Sequence, residues 1–321
     1  MTIPKTHNLA KSPSKMSISS FMQETMCFIG QFLVFKEAEQ VVNTLSGSDI
    51  YEKQIERICH FYGNSLENKI LNDIEVSGYE VVSPELKEEL HYVSIDGSML
   101  LTREEKWKEI KLARIYKDND IININKERNQ LIDSQYVVHL GGHLDFIKKL
   151  EYKISDINNK VFVCDGAKWI WSYVDLYYPE SVQILDYYHA KEHLCDFAKK
   201  TFKDDFKRKQ WIEKTSDMLI NEGVNPVIKT LEELNQTQAR DSILNYYREN
   251  QKRMQYHDFK AKNYLIGSGA IESAHKDVLQ KRLKLSGQRW TKDGIQQMAN
   301  LRVCYKSNNA KLITQMCKMA A

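Results

Sequence analysis

The chain has 321 residues, of which 42% are hydrophobic and 28% are charged, and its formal net charge is +3. This length allows one large domain or two to three smaller ones, each with a buried core. The absence of any run of about 18 apolar residues argues against a membrane protein. The near-neutral charge does not by itself indicate a nucleic-acid-binding protein.

The spacing of the cysteines and the composition of the N-terminal residues further narrow the possible classes of protein. The six cysteines are far apart and form no C-x-x-C pair, so neither a zinc framework nor a dense disulfide pattern is expected. A reducing cytosol is the simplest setting. Residues 1–16 are polar with scattered lysines and lack the apolar segment of a signal peptide, so we expect a disordered tail there.

The next region, residues 17–91, is predicted to be helical. Apolar residues recur at three- and four-residue spacing from residue 17 to 72, and Gly47 interrupts them. Asp49 stands three residues before Glu52, which is the spacing of a capping box. Helix, short turn and helix is typical of a DNA-reading helix-turn-helix, and equally of an ordinary helical bundle.

From residue 92 to 189 the hydrophobic period indicates strands alternating with helices. Strands are predicted from Tyr92, around Ile110–Arg114 after a turn at 103–105, and over residues 135–140, 161–164 and 182–185. Helices are predicted over residues 141–157 and 167–178. This order predicts an α/β fold with a mixed sheet covered by helices on both faces.

The strand pattern ends near residue 190. The segment 190–264 is charged and is predicted to be entirely helical. Gly267-Ser268-Gly269 interrupts it, and a further helix is predicted from about Ala270 to Leu285, followed by another from Lys292 to Ser307.

Three carboxylates stand at element boundaries. Asp96 and Asp165 each end a strand and precede a glycine, and Glu272 opens the helix after the helical segment. An Asp-Gly step is also an ordinary turn, but the element order predicts that both strand ends and this helix meet at one edge. Clustered carboxylates need a compensating cation, and oxygen ligands favour Mg²⁺. Two such ions would support phosphoryl transfer on nucleic acid.

A zinc site is the competing interpretation. His189, Glu192 and His193 fit H-x-x-E-H, in which two histidines share a helix face. The motif is short, it directly follows a strand, and no clear third ligand accompanies it. The pair His139 and His143 is more typical of a strand end and turn.

Three longer motifs then carry a resemblance. The first is Val93-Ser94-Ile95-Asp96-Gly97 with Thr102-Arg103-Glu104 and Trp107-Lys108-Glu109. The second is Cys164-Asp165-Gly166-Ala167-Lys168-Trp169-Ile170-Trp171 with Gln183-Ile184-Leu185-Asp186-Tyr187-Tyr188-His189-Ala190. The third is Gly267-Ser268-Gly269-Ala270-Ile271-Glu272-Ser273 with Arg282-Leu283-Lys284, Ser286-Gly287 and Arg289-Trp290. In this order, the motifs resemble those of bacterial insertion-sequence transposases of the ISKra group, relatives of the Mutator-like transposases.

The resemblance implies a DDE transposase with an RNase H-like core. Asp96, Asp165 and Glu272 would be its catalytic residues and the ligands of two Mg²⁺ or Mn²⁺ ions. Asp186 and His189 match a D-x-x-H motif and are expected to support the site. The core would comprise residues 92–189 and the final helices of residues 265–321, with residues 190–264 as a helical insertion.

The same resemblance implies double-stranded DNA as the partner, both the terminal inverted repeats of the element and the target. Basic residues crowd the C-terminal part, which is also typical of a solvated helix face. The expected DNA contacts are Lys276, Arg282, Lys284, Arg289 and Trp290, although Trp290 is equally typical of a core. Without a cysteine-rich finger, recognition of the element ends would depend on residues 17–72.

A homodimer or larger assembly on DNA is expected, because transposition brings two element ends together, and the setting would be the bacterial cytoplasm and nucleoid. The alternative from a different class is a catalytically inactive or domesticated relative that binds DNA without moving it. The zinc hydrolase with His189, Glu192 and His193 is the remaining alternative.

Overall fold

The computed structural model describes residues 18–77, 89–125 and 128–319. The tail expected over residues 1–16 lies outside the described residues. The chain divides into two compact units that do not follow the predicted domain bounds, because each collects distant segments. The first unit comprises Met1–Glu89, Gly97–Asn158 and Ile271–Ala321, and the second unit comprises Leu90–Asp96 and Asn159–Ala270.

The N-terminal part of the first unit is helical, as predicted. Its helices are α1 (Ser20–Gly30), α2 (Phe35–Ser46) and α3 (Glu52–Ser77). Gly47 ends α2 in the left-handed conformation, with φ 62°. The capping box predicted for Asp49 does not form, because α3 begins at Glu52 itself. The Glu52 amide donates instead to the side chain of Glu39, at 2.6 Å.

The first unit also contains the antiparallel strands. The elements are β1 (His91–Thr102), of which the part from Gly97 belongs here, β2 (Lys106–Lys117), β3 (Ile121–Asn125), β4 (Arg128–Leu131), β5 (Gln135–Leu140) and α4 (His143–Ile154). β2 pairs with β5, from Ile110 opposite Leu140 to Ile115 opposite Gln135. The separate β3–β4 hairpin was not predicted, because its side chains are largely exposed and it lacks a buried apolar face.

The second unit holds the parallel strands and the helical segment. β1 pairs in parallel with β6 (Lys160–Cys164), and β6 pairs in parallel with β7 (Val182–Leu185). All five residues of β6 are buried, which explains its uninterrupted apolar sequence. The helices of this unit are α5 (Lys168–Tyr177), α6 (Tyr187–Thr201), α7 (Asp205–Asn221), α8 (Val224–Glu232), α9 (Gln238–Glu249) and α10 (Tyr256–Ala261).

The sheet confirms the predicted fold class. Its strand order is β5-β2-β1-β6-β7, with antiparallel pairing on one side of β1 and parallel pairing on the other. It is a mixed sheet flanked by helices, with a helical region before it and a helical segment after β7, as expected for an RNase H-like fold with an insertion. In the described part of the chain, no helix is long and apolar enough to cross a membrane.

The C-terminal elements differ in detail from the prediction. They are α11 (Gly269–Ala274), a π-helix (His275–Gln280), α12 (Lys281–Leu283), α13 (Lys292–Lys306) and α14 (Ala310–Lys318), of which α14 was not predicted. Residues of α1, α3, α13 and α14 share one hydrophobic core in the first unit. The N-terminal helices are therefore not a separate folding unit, because their apolar faces are buried against the C-terminal helices.

Arg302 explains why a π-helix persists at this position. It lies on α13 with 1% of its surface exposed, and its guanidinium donates to the backbone carbonyls of Asp277 and Val278 within the π-helix. It also donates to the carbonyl of Gln31. A π-helix leaves the regular i to i−4 pattern, so carbonyl groups within it need other donors. A buried arginine supplies them.

Candidate active site

The strand register of the second unit aligns three aspartates. Val93 on β1 lies opposite Phe162 on β6, and Phe162 lies opposite Gln183 at β7. The pairing of β6 with β7 continues one residue beyond β7, because the amide of Asp186 donates to the Cys164 carbonyl at 2.8 Å. Neighbouring strands lie about 4.8 Å apart. Counting three residues along the chain from these paired positions leads to Asp96, Asp165 and Asp186, one on each of three neighbouring segments; we call them the aspartate row.

Asp165 is partly exposed and its carboxylate is only partly used by the protein. Its Oδ1 accepts a hydrogen bond from the Ala167 amide at 3.0 Å, and its backbone carbonyl accepts one from Trp171 Nε1 at 2.7 Å. No other hydrogen bond to the Asp165 side chain is found within the described residues. The backbone is therefore fixed on both sides of a carboxylate that keeps acceptor capacity for a ligand.

Gly166 follows because the backbone there passes close to an aromatic ring. A Cβ at this position would lie 2.6 Å from a ring carbon of Tyr246 on α9. No side chain fits in that space without moving the ring. The Asp-Gly step is consequently more than a turn in this structure, since the glycine allows the helical segment to pack directly behind Asp165.

Asp186 is buried, with 2% of its surface exposed, and its carboxylate is fully used. Oδ1 accepts from the amides of Tyr188 and His189, at 2.6 and 3.3 Å, and thereby caps the N-terminus of α6. Oδ2 accepts from the amide of Ser268 at 3.0 Å and from its hydroxyl. Asp186 is therefore a positioning residue that ties α6 to the Gly-Ser-Gly segment.

Asp96 is partly exposed at the last position that β1 contributes to the second unit. The pKa of the neighbouring Cys164 thiol is raised, mainly by burial and further by the charges of Asp165 and Asp96. The pKa of Tyr246 is raised by burial and by the charges of Asp165 and Asp186. These effects indicate a concentration of negative charge at this end of the strands, which favours a bound cation.

Glu272, the third predicted catalytic carboxylate, is exposed on α11 and belongs to the first unit. Within the described ranges, no three His, Cys, Asp or Glu side chains form a group that could hold a metal ion. Asp96 and Asp165 therefore belong to the second unit, whereas Glu272 belongs to the first unit. Two carboxylates from adjacent strands, both with solvent access, are suitable oxygen ligands for Mg²⁺.

The H-x-x-E-H residues form an aromatic stack. The ring of His193 lies on Tyr246, with centroids 4.1 Å apart, and the ring of His189 contacts His193 edge-on at 5.1 Å. His189 Nδ1 is 3.7 Å from a carboxylate oxygen of Glu192. Burial, and then the charge of His189, lower the pKa of His193. This packing gives the zinc interpretation no support, since His193 is engaged with a ring and not with converging ligands.

The five expected DNA contacts fall into two groups. Lys276, Lys284 and Arg289 are exposed. Arg282 and Trp290 are buried, with 1% and 9% of their surfaces exposed, so neither lies on the exposed surface with the other three. The burial has a physical reason. The Arg282 Nε donates to the Gly30 carbonyl at 3.0 Å, and its guanidinium lies 4.9 Å from the centre of the Trp290 ring.

Two residues of the aspartate row's surroundings were missed from the sequence. Ser268 lies in the Gly-Ser-Gly segment, which was interpreted as a chain break and as part of the third motif, with no role assigned to the serine. Tyr246 lies in the helical segment, where no motif distinguishes it from other aromatic residues. The first could have been identified from its position in the motif, whereas the second depends on how α9 packs in three dimensions.

A comparison with known protein families assigns the chain to a family. No curated protein matches the chain. A family model described as an uncharacterised protein family, UPF0236, matches residues 71–318, more than three quarters of the chain. The matched region includes the aspartate row and Glu272, and it begins inside α3. The chain therefore belongs to the uncharacterised protein family UPF0236.

Proposed function

We propose that the protein is a DDE transposase of an insertion sequence, as its resemblance to the ISKra group implies. The observation that carries the proposal is that Asp96 lies within β1 and Asp165 directly follows β6, the strand that pairs in parallel with β1. Asp96 does not end its strand, as the sequence suggested, because β1 continues to Thr102. Both carboxylates are partly exposed, unlike Asp186, whose oxygens are all engaged. Partly exposed neighbouring carboxylates are costly unless a cation or substrate uses them.

In this proposal Asp96, Asp165 and Glu272 hold Mg²⁺ or Mn²⁺, with two ions in the working site. The ions would activate a water or a 3′-hydroxyl and stabilise the leaving oxygen of a DNA phosphodiester. The residues of the chain would supply position. Asp186 holds the start of α6 against Ser268, and Trp171 holds the Asp165 carbonyl.

The proposed partner is double-stranded DNA, first the terminal inverted repeats of the element and then the target. The exposed residues Lys276, Lys284 and Arg289 would contact its phosphates. A homodimer or larger assembly would join two ends, and the bacterial cytoplasm and nucleoid would be the setting.

The test is strand cleavage and strand transfer on DNA that carries the element's own ends. Asp165→Asn should reduce Mg²⁺-dependent activity by on the order of 10⁴-fold, because an amide is a poor ligand and lacks the charge. Asp217→Asn is the matched control, since Asp217 is exposed on α7 of the same unit. It should retain activity.

Specific end binding with no cleavage in Mg²⁺ or Mn²⁺, unchanged by Asp165→Asn, would contradict the enzyme proposal. That result would favour the DNA-binding relative that no longer moves DNA. Activity that depends on stoichiometric zinc and on His189 would favour the hydrolase instead.

A further inference from the structure

The first unit contains a second candidate site, a cavity of about 320 Å³. It lies beside the N-terminal turn of α2, the first half of α3 and the segment 282–291. The residues that matter for its chemistry are Phe35, His60, Arg103, Arg282, Arg289 and Trp290. Its size falls at the lower end of the range for small-ligand pockets. We call it the arginine cavity.

Arg282 is the most informative residue of the arginine cavity. It is 1% exposed, and its guanidinium lies against the rings of Phe35 and Trp290, 4.6 and 4.9 Å from their centres. Its Nε donates to the Gly30 carbonyl, but its Nη2 is buried and has no hydrogen-bond partner among the described residues. Burial lowers its pKa to about 10, so it remains charged at neutral pH. A buried charged donor without an acceptor is costly, and an anion in the cavity would remove that cost.

Two further features line the same cavity. His60 Nε2 is also buried and has no hydrogen-bond partner in the described part of the chain, and burial lowers the pKa of this histidine, which favours its neutral form. Phe35 and Lys36 belong to the first turn of α2, a 12-residue helix with no side-chain cap at Val34. Free amides at a helix N-terminus favour anions. The helix terminus and the buried guanidinium are independent features that select the same charge.

The balance of charge around the arginine cavity is positive. Arg103 Nε donates to the Arg289 carbonyl at 3.0 Å, which holds these two basic residues together at one edge. The acidic lining residues are Glu52 and Glu56. Glu56 is neutralised by Lys53, 2.7 Å away. The remaining arginines therefore outnumber the free carboxylates.

We propose that the arginine cavity binds a phosphate group, with Arg282 Nη2, the Arg289 guanidinium and the amides of the α2 N-terminus as donors. Planar guanidinium groups match phosphate oxygens in geometry as well as in charge. The phosphate can belong to the end of a DNA strand or to a free phosphate ion, and the experiment separates these sources. The proposal does not depend on the transposase function.

The experiment measures phosphate binding by the full chain in EDTA, so that no metal-dependent cleavage contributes. Three probes are titrated: inorganic phosphate, a short single-stranded oligonucleotide with a 5′-phosphate, and the same oligonucleotide with a 5′-hydroxyl. Binding is followed by ³¹P NMR and by tryptophan fluorescence. Because the chain has five tryptophans, Trp290→Phe identifies the contribution of the ring beside Arg282.

We expect saturable binding of a phosphate-bearing probe and a dissociation constant raised about 10-fold or more by Arg289→Gln, the loss of one charged hydrogen bond. Arg282→Gln should have a larger effect if it folds. Because Arg289 is exposed, Arg289→Gln tests the proposal even where Arg282→Gln does not fold. Arg57→Gln is the matched control, an exposed arginine of α3 outside the cavity lining, and should bind as the original protein does.

The probes also identify the source. A preference for the 5′-phosphorylated oligonucleotide, with competition by inorganic phosphate, assigns the arginine cavity to a strand end. Binding of inorganic phosphate alone assigns it to the free ion. Equal binding of both oligonucleotides that Arg289→Gln leaves unchanged overturns the proposal, as does the absence of saturable phosphate binding. Either result leaves the outcome for Asp165→Asn untouched, so the two proposals fail separately.

Discussion

The two compact units differ in the sign of their most deeply buried charges. In the second unit this charge is the Asp186 carboxylate, 2% exposed, which accepts from backbone amides and a serine hydroxyl. In the first unit the most deeply buried charges are two guanidinium groups, each 1% exposed. Arg302 donates to three backbone carbonyls, and Arg282 donates to one and lies against two rings. In each unit, the buried charged side chain thus forms hydrogen bonds with backbone groups that a helix end or an irregular helix leaves unpaired.

The comparison separates structural charges from functional candidates by how completely they are satisfied. Asp186 and Arg302 have partners on all sides and hold elements in place. Asp165 belongs to the same unit as Asp186, and Arg282 belongs to the same unit as Arg302. Among the described residues, however, Asp165 keeps acceptor capacity without a partner, and Arg282 keeps a donor without a partner. An incompletely satisfied polar group in a folded protein requires an explanation, and a ligand is one.

The largest effect on stability is expected from Arg302→Met. Three backbone carbonyls would lose their donor inside the first unit. We expect the free energy of unfolding to fall by ~3–5 kcal/mol. Urea denaturation measures it, with Lys311→Met on exposed α14 surface as the control. A change below that of the control would mean that Arg302 is not a structural charge.

A smaller effect is expected from Asp186→Asn. The amide can still cap α6, but its NH₂ would face the Ser268 amide and hydroxyl, which would lose their acceptor. The free energy of unfolding should fall by ~1–3 kcal/mol. Asp165→Asn should change it by less than ~1 kcal/mol, because this side chain is partly exposed and an amide oxygen still accepts from Ala167. Equal destabilisation by the two changes would remove the distinction between a positioning and a catalytic aspartate.

Gly63→Ala tests how closely the helices of the first unit approach. A Cβ on Gly63 of α3 would lie 2.6 Å from the carbonyl carbon of Gln297 on α13. The helices would have to move apart, at a cost of ~1–3 kcal/mol. Gly142→Ala is the control, since nothing lies within 4 Å of its Cβ and its φ of −60° suits any residue. Thermal unfolding of both variants compares them directly, and a similar melting temperature would contradict this packing.

A further effect is a dependence of the free energy of unfolding on pH. Burial, and then the charge of Lys149, lower the pKa of His139 to about 4, and Lys149 Nζ lies 3.3 Å from His139 Nδ1. An unfolded histidine titrates near pH 6.5, so the unfolded chain takes up a proton first as the pH falls. This contribution to the free energy of unfolding is therefore present above pH 6.5 and is lost between about pH 6.5 and 4. His139→Gln should reduce the change of the urea-denaturation midpoint with pH over that range. An unchanged dependence of the midpoint on pH would contradict the assignment.

Much of the fold could be predicted because its signals are local. β5, β6 and β7 match their predicted positions within a residue, since apolar runs and glycine-containing turns delimit them. The β3–β4 hairpin was missed because it is mostly exposed, so no alternation marks a buried face. The helix α14 was missed although Ile313 and Cys317, four residues apart, are buried in the first unit's core.

The residues of the candidate site can be chosen from the sequence, whereas their burial cannot. Asp96, Asp165 and Asp186 all follow apolar strand residues, and only the resemblance separates the two proposed catalytic aspartates from the supporting one. Their difference in burial depends on Ser268, which is 82 residues from Asp186 in the chain. Long-range hydrogen bonds of this kind leave no local pattern, so only the folded chain distinguishes the saturated carboxylate from the partly exposed ones.

The sequence by itself determined the mixed α/β class and the order of the strands along the chain, because these follow from periodicity and turn residues. Tertiary structure alone decided which basic residues of the C-terminal part are buried. Arg282 and Arg302 look like neighbouring surface charges in the sequence, yet both are 1% exposed. The reason is physical: a charge is buried only where carbonyls and ring faces from distant segments converge on it.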